Sequence, residues 1–496
     1  MTACGEAEVQ HFSNLDGSFD IDSSEDESRP NPLSDQGNDL DLSTSPDTLS
    51  DRLHDATNLL DDGTGDIDMS ALPSTVHELY QSDRIQSPVT ASVAEHMRAI
   101  SALNPAHQED VFMKVGASST VSAYHLYCFA DDEIALDGRD SLWTPIDYYI
   151  QGNANDFAGE GSLTPFDRDT YAAESGRTAV WAMDGTPSPV DQEIESINPS
   201  AAIVHYGTND MGMGTTYLSA MWNFYDSYTA LVDHMTTQGI LPILVGINAR
   251  GDSANADLWV PTYNAVIRGI AQARQIPFLD LHLAMNPLPD RGLASDGIHN
   301  NIYVLDGWTR PCHFTPEGLQ FGHNLRNMIT LESLDRVRQV MDDEVESLDA
   351  STDPLIGDGS SSWPFVINQL PFTHQADTTH SPHRNLNEYL GCFATQDESG
   401  PEYLYRFEIE EETPVRILVL DSGEVDVDVH ILSNTISEEA CLIRDHQDIQ
   451  GILQPGHYTL ALDTYVSGDG EEMAGEYMIV VLTCEEDDTD CSVALN

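Results

Sequence analysis

Asp296 and His299, in "SDGIHNN", stand three residues apart, close enough within a turn for the carboxylate to hold the imidazole. An imidazole held in that way can take a proton from a hydroxyl and later return it to a leaving group. Ser118 offers such a hydroxyl in "VFMKVGASSTVS", where an apolar run ends in Gly116-Ala117-Ser118. Attack on an ester carbonyl also needs donors for the negative charge that develops on oxygen. Gly176, in "AESGRTAVWA", offers a backbone N–H with no side chain to obstruct a ligand, and Asn209, in "HYGTND", offers a side-chain amide. Each has a plainer reading when taken singly. Ser118 is then a loop serine, Gly176 turn punctuation, Asn209 or Asp210 a helix cap, and Asp296 with His299 a surface pair or two metal ligands. Ser119 and Ser122 are rival hydroxyls, and His313 is a rival imidazole.

The elements that must position these groups alternate. The Val111 run reads as a buried strand, preceded by the helical spacing of "SVAEHMRAISAL". "AAIVHY" is the next strand, followed by the amphipathic "YLSAMWNFYDSYTALVDHMTTQG", with Gly239 suited to end that helix. "ILPILVGIN" and "PFLDLH" are further strands, with the helix "VPTYNAVIRGIAQARQI" between them. "TPEGLQFGHNLRNMITLESLDRVRQVM" predicts a last helix, capped by Thr315 with Pro316 in its first turn. Buried strands alternating with helices predict an α/β parallel sheet covered on both faces, in which sites lie beyond the carboxyl ends of the strands. Each candidate group sits at such an exit or in a loop after one. From about Asn387 the pattern changes to short strands such as "YLYRFEIEE", "PVRILVLD" and "VDVDVHIL", which predict a C-terminal all-β sandwich. The expected organisation is an acidic tether over 1–75, the α/β domain over 76–345, a linker over 346–386 and the sandwich over 387–496.

The chain has 496 residues and a formal net charge of −64. Such a charge repels nucleic acid and anionic membranes, so DNA and RNA are not expected partners. Lys114 is the only lysine; acid excess with lysine depletion fits a protein kept soluble in saline surroundings, and equally an acidic secreted protein from an ordinary habitat. No run reaches the roughly 20 apolar residues of a membrane span. Thr2-Ala3-Cys4-Gly5 resembles the end of a bacterial lipoprotein signal, which would make Cys4 a lipidated membrane tether ahead of a polar tract. The remaining cysteines are Cys128, Cys312, Cys392, Cys441, Cys484 and Cys491; an even number with no C-x-x-C pair points to disulfides of unspecified pairing and to an extracellular or cell-envelope location.

The order of the candidate blocks resembles the SGNH hydrolases, also called GDSL esterases and lipases. The blocks are Gly116-Ala117-Ser118, Gly176, Gly207-Thr208-Asn209-Asp210 and Asp296-Gly297-Ile298-His299. The resemblance covers roughly Leu79 to Met341 and implies a three-layer α/β/α, flavodoxin-like parallel sheet. It implies Ser118 as nucleophile, His299 as base and Asp296 as its orienter, with the Ser118 and Gly176 N–H groups and the Asn209 amide as oxyanion donors. That family usually has Asp where Ala117 stands, which is not a triad position; its loss leaves the nucleophile turn less rigidly held. The segment "NNIYVLDGWTRPCHF" after His299 is expected to form a rim or lid tied down by Cys312. The C-terminal strands resemble bacterial pre-peptidase C-terminal domains, which implies a non-catalytic module contacting carbohydrate or a cell surface. Glu424, Asp426 and Asp428 alternate along one strand; a solvated acidic face is expected there ahead of a calcium site.

These readings converge on an exported serine esterase that forms an acyl-serine, uses no cofactor or metal, and prefers short acyl or O-acetyl carbohydrate esters. Two other classes remain: a surface binding protein on a decayed hydrolase scaffold, motivated by Ala117 and the appended sandwich, and a metal-dependent phosphoesterase using Asp296, His299 and Asn209. The second lacks the additional clustered His and Asp that two metals require.

Overall fold

The computed structural model describes residues 77–130, 133–155 and 163–495. Cys4 and the tether expected over 1–75 lie outside the described residues. Four parallel strands form the first sheet: β1 (Gln108–Gly116), β2 (Pro199–His205), β3 (Leu241–Val245) and β4 (Phe278–Leu279), side by side in that order. β3 is buried along its length, as a strand covered on both faces must be. On the edge of β1 away from β2, Gly116 makes a single parallel bridge with Ala173. That bridge occupies the place of the second strand in a flavodoxin-like order, shrunk to one residue.

The helices of this domain are α1 (Ala91–Ala102), α2 (Ser118–Val121), α3 (Trp143–Tyr149), α4 (Ala179–Ala182), α5 (Pro189–Ile197), α6 (Tyr217–Thr237), α7 (Ala254–Asp257), α8 (Val260–Ala273), α9 (Leu281–Met285) and α10 (Gly322–Met341). α10 packs on α1 and α3, while α6 packs on α4 and α8. The "PFLDLH" strand is shorter than its sequence predicts, because the Asp280 side chain accepts from Leu283 N–H and starts α9. The last helix also begins later than predicted. Thr315 caps only a short turn, accepting from Gly318 N–H at 3.1 Å, and the chain then breaks at an extended Phe321 before Gly322 opens α10. The break brings Gly322 against Asn301, whose side-chain oxygen accepts its N–H at 2.7 Å.

Two antiparallel sheets form the C-terminal sandwich. One carries β13 (Asp448–Leu453), β10 (Thr413–Asp421), β15 (Glu476–Thr483) and β8 (Phe372–Asp377); the other carries β12 (Cys441–Asp445), β11 (Val427–Leu432), β14 (Gly456–Thr464), β9 (Glu402–Ile409) and β7 (Phe365–Val366). Part of the stretch expected as a linker is therefore strand. β8 pairs with β15 from Phe372 to Asp377, because Phe372 enters the sandwich core while the Thr373 carbonyl accepts from Gln272 of α8. The polar "THQAD" hid this strand from hydrophobic periodicity.

The sandwich shares a core with the α/β domain. Leu418, Leu420, Met478, Val480 and Leu482 join the main apolar cluster. A Cβ on Gly269 of α8 would stand 2.6 Å from Met478 Sδ, so the helix approaches the sheet at glycine distance. Arg416 crosses the seam: its guanidinium lies 3.5 Å from the centre of the Trp259 ring, donates to Thr262 Oγ1 at 2.9 Å and pairs with Asp488 at 2.7 Å.

Candidate active site

Ser118 opens α2 directly beyond the carboxyl end of β1. As the first helical residue it keeps an N–H that helix geometry leaves without an internal acceptor. The turn is closed by Thr120 and Val121 N–H groups donating to Ala117 carbonyl, at 2.8 and 3.1 Å. His299 Nε2 lies 2.8 Å from Ser118 Oγ, and its Nδ1 lies 2.7 Å from Asp296 Oδ2. The second Asp296 oxygen accepts the Ile298 and His299 N–H groups at 2.9 and 3.0 Å. Burial pushes the Asp296 carboxyl up, but these backbone donors and the His299 ring outweigh it and hold it at about 2. It therefore stays an acceptor at every physiological pH, which fixes the ring proton on Nδ1 and leaves Nε2 to accept from serine. Gly297 takes φ +72 with the Gly251–Asp252 backbone against it, and any side chain there would displace the Asp296–His299 turn.

The other predicted residues form a second group on the strand end that carries Ser118. Gly116 N–H donates to Ala172 carbonyl, and Glu174 N–H donates to Gly116 carbonyl, so the segment leading to Gly176 is hydrogen-bonded to the strand that carries Ser118. Asn209 Nδ2 donates to the Arg177 carbonyl at 2.8 Å, tying its loop to the residue after Gly176. Asp210 is the residue whose part in this site the sequence reading missed. It is buried, and its two oxygens accept from Ala179 and Gly207 N–H groups at 2.8 and 2.9 Å, joining the Gly176 turn to the Asn209 loop. Burial raises its carboxyl to about 6 against those donors. Its place beside Asn209 in "GTND" was the available signal, but for Asp210 itself the sequence suggests no role beyond a helix cap.

The rivals stand elsewhere. The Ser119 carbonyl, not its hydroxyl, is engaged, by Arg326; Ser122 Oγ accepts from Tyr124 N–H; the His313 ring lies beside that of Tyr303. The segment after His299 forms a small hairpin, β5 (Val304–Leu305) with β6 (Trp308–Thr309), whose Trp308 is 69% exposed. Cys312, just beyond it, is bonded to Cys128, which fastens the segment after His299 to the one after Ser118. The other bridges are Cys392–Cys441 and Cys484–Cys491. A cavity of about 300 Å³ opens beside α2, lined by Thr120, Val121, Tyr127, Asp169, Thr170, Ala173 and Lys114. The single lysine is thus an interior residue, donating to Phe166 carbonyl at 3.0 Å and lying over the Tyr127 ring. In the sandwich the acidic face expected along one strand is corrected: Glu424, exposed, and Asp426, half-buried, precede β11, and only Asp428 lies on it. Asp428 is buried, held by Arg444, by Gln396 at 2.8 Å and by His446 at 3.1 Å, because it lies under the segment preceding β9.

Among solved structures, the chain is similar to a GDSL-like lipase from Bacteroides thetaiotaomicron, at 14% identity over 49% of this chain and 98% of that one, TM-score 0.29. It is likewise similar to a family 3 carbohydrate esterase from Talaromyces cellulolyticus, at 18% identity over 45% and 98% of the two chains, TM-score 0.30. The C-terminal region is similar to the pre-peptidase C-terminal domain of a collagenase from Bacillus anthracis, at 14% identity over 23% and 89%, TM-score 0.16. No curated protein matches the chain. Residues 153–321, which contain Gly176, Asn209, Asp296 and His299 and begin after Ser118, match the GDSL-like lipase/acylhydrolase family. Over those residues the α/β domain is similar to the GDSL-like lipase/acylhydrolases, which supports a carboxylic ester hydrolase.

Proposed function

We propose that the chain is an exported serine esterase that cleaves esters of short acyl groups, O-acetyl groups on carbohydrate foremost, through an acyl-enzyme on Ser118. The observation that carries this reading is the unbroken hydrogen-bond chain Ser118 Oγ, His299, Asp296 at 2.8 and 2.7 Å. Ser118 Oγ attacks the ester carbonyl carbon as its proton passes to His299 Nε2, and Asp296 steadies the imidazolium that results. The carbonyl oxygen becomes an oxyanion, received by the Ser118 and Gly176 N–H groups and the Asn209 amide. Collapse expels the alcohol, which takes the proton from Nε2. Water then attacks the acyl-serine, giving its proton to the same nitrogen, and the acid leaves as Ser118 is restored.

The substrate preference is supported by shape. The cavity beside α2 is at the small end for a ligand site, and its walls include Thr120 and Val121, in the same short helix as Ser118, and Ala173, which is bridged to Gly116. The His299 and Asp296 side chains are 41% and 50% exposed, so the alcohol side is open to a bulky, hydroxyl-rich leaving group. Three disulfides among the described residues support an oxidising compartment, and so export; lipid attachment at Cys4 is part of the same proposal. The test is hydrolysis of p-nitrophenyl acetate against p-nitrophenyl laurate, then acetate release from an acetylated oligosaccharide, with fluorophosphonate labelling mapped by peptide. Acetate turnover lost in Ser118→Ala, with the label on Ser118, is expected. A label elsewhere, or turnover surviving in Ser118→Ala, would overturn the assignment; a faster laurate would overturn the acyl preference alone.

A further inference from the structure

Arg326 is buried without a countercharge. It is 1% exposed, and no carboxylate among the described residues pairs with it, in a chain with 84 acidic residues and 20 lysines and arginines. Arg168 is paired with Glu193 and Arg416 with Asp488, whereas Arg268, buried on α8, has no ion pair among the described residues either, although the nearby Asp280 favours its charge. Burying an unpaired cation opposes folding, so stability does not explain its presence. Its surroundings are imidazoles: His205, whose Nδ1 accepts from Arg326 Nη2 at 3.0 Å, with His125 and His323 close by. Burial, and then the Arg326 charge itself, holds all three rings well below their ordinary value, which keeps them neutral.

What the guanidinium does hold is the main chain beside the nucleophile. Arg326 Nη1 donates to the Ser119 carbonyl at 2.8 Å. The turn needs such a strap, because Ala117 carries no side-chain acceptor and makes no capping bond. The same stretch of α10 grips both halves of the triad. Gly322 and His323 N–H groups donate to the Asn301 side chain and carbonyl, two residues after His299. Asn327 accepts from Leu126 N–H and donates to Tyr124 carbonyl, in the segment after Ser118. Two turns of one helix therefore set the register between residues 181 apart in sequence.

We propose that Arg326 is a positioning residue of the esterase site, holding the Ser119 carbonyl so that Ser118 Oγ stays in line with His299 Nε2. The proposal rests on Ser118 being the nucleophile. Its role is separable from substrate binding, since a slack nucleophile lowers kcat without weakening the ground-state complex. The experiment compares Arg326→Met and Arg326→Lys with the wild type by kcat and KM for p-nitrophenyl acetate per titrated active site, by fluorophosphonate labelling rate and by melting temperature. Arg326→Met is expected to lower kcat and labelling together by about 10- to 100-fold, with KM within about two-fold. Arg326→Lys, which reaches the Ser119 carbonyl but cannot also span to His205, is expected to fall between the two. Methionine with unchanged kcat per site, a loss appearing only in KM, or a loss matched by fewer titratable sites would overturn the proposal. Should the methionine variant not fold, the lysine variant decides: kcat equal to wild type overturns the proposal, and a reduced kcat at native KM and melting temperature supports it. Wild type that takes no label at Ser118 would remove the esterase reading and this inference together; equal labelling of wild type and Arg326→Met removes the inference alone.

Discussion

Asp296→Asn separates orientation of the base from folding. Asp296 Oδ1 accepts two main-chain N–H groups, from Ile298 and His299. Asparagine must leave its carbonyl oxygen there, because an amide NH2 has only donors to offer those N–H groups. The NH2 then faces His299 Nδ1, where Oδ2 stood at 2.7 Å. A donor at that place makes Nδ1 an acceptor and moves the ring proton to Nε2. Nε2 then donates to Ser118 Oγ instead of accepting from it, and the base is lost. In a Ser-His-Asp arrangement the wrong tautomer lowers kcat by about 10⁴, about 5.5 kcal/mol of transition-state stabilisation. Both side chains are about half exposed, and water can supply part of the missing orientation, so a loss of about 10³- to 10⁴-fold is expected. The assay is p-nitrophenyl acetate hydrolysis per active site, with KM expected within about two-fold because Asp296 touches no substrate. The wild-type carboxyl is held at about 2, so an acid limb above pH 4 does not come from Asp296. A variant that keeps a tenth of wild-type kcat at an unchanged melting temperature would refute the tautomer argument.

Four further outcomes are expected. The Asp210 carboxyl is held at about 6, above the ordinary 3.8, so the folded state binds its proton more tightly than the unfolded chain. Its contribution to stability is full below pH 4 and is lost as pH rises through 6, a change of about 3 kcal/mol. Urea unfolding should therefore show Asp210→Asn gaining on wild type between pH 4 and 7; a constant difference would contradict this. Replacing Cys128 and Cys312 by serine is expected to lower stability by about 2–4 kcal/mol and to depress kcat through the loosened loop after His299; native kcat in the destabilised variant would show that the bridge serves folding only. Arg416→Met leaves Asp488 buried and unpaired at the seam, which should cost about 3–5 kcal/mol. Calorimetry should show the α/β domain and the sandwich melting together, because they share a core, and two separated transitions would count against that coupling.

The legible part of this site was the part made of short-range chemistry. Asp296 and His299 are three residues apart, and the turn between them is encoded locally, by Gly297 and by the Asp296 carboxylate that accepts its N–H groups. The strands were legible where both faces are buried, as in "LPILV", and illegible where one face meets polar neighbours, as in "FTHQAD" against α8. The start of α10 was misread because Thr315-Pro316 is a sound cap signal. What overrides it is Asn301, reaching in from the catalytic loop to take Gly322 N–H, and no local pattern announces a partner 21 residues away. Asp210 and Arg326 were hidden for a related reason. Each acts on the main chain of another segment, the first on Gly207 and Ala179, the second on Ser119, and sequence spacing records which side chains are present without recording which carbonyl or N–H they meet.

Ala117 turns that difference into an argument about how the site holds together. An acceptor beside the nucleophile would brace the turn locally, and its absence was expected to leave Ser118 less rigidly placed. The geometry shows the bracing delivered from a distance instead. Arg326 holds the carbonyl on one side, the Ala172–Glu174 segment holds Gly116 on the other, and the Cys128–Cys312 bridge closes the loop behind. Hydrogen bonds from rigid elements fix a turn better than a side chain within it, since a helix and a sheet edge give up little entropy on making them. Bracing of this kind also ties activity to global integrity. A local acceptor would survive fraying of α10, whereas the Arg326 strap and the Asn301 contacts are lost with its first two turns. Conditions that loosen α10 without unfolding the sheet should therefore abolish ester turnover before they abolish secondary structure, and coincident loss of activity and far-UV circular dichroism in a urea titration would show that the bracing is not needed.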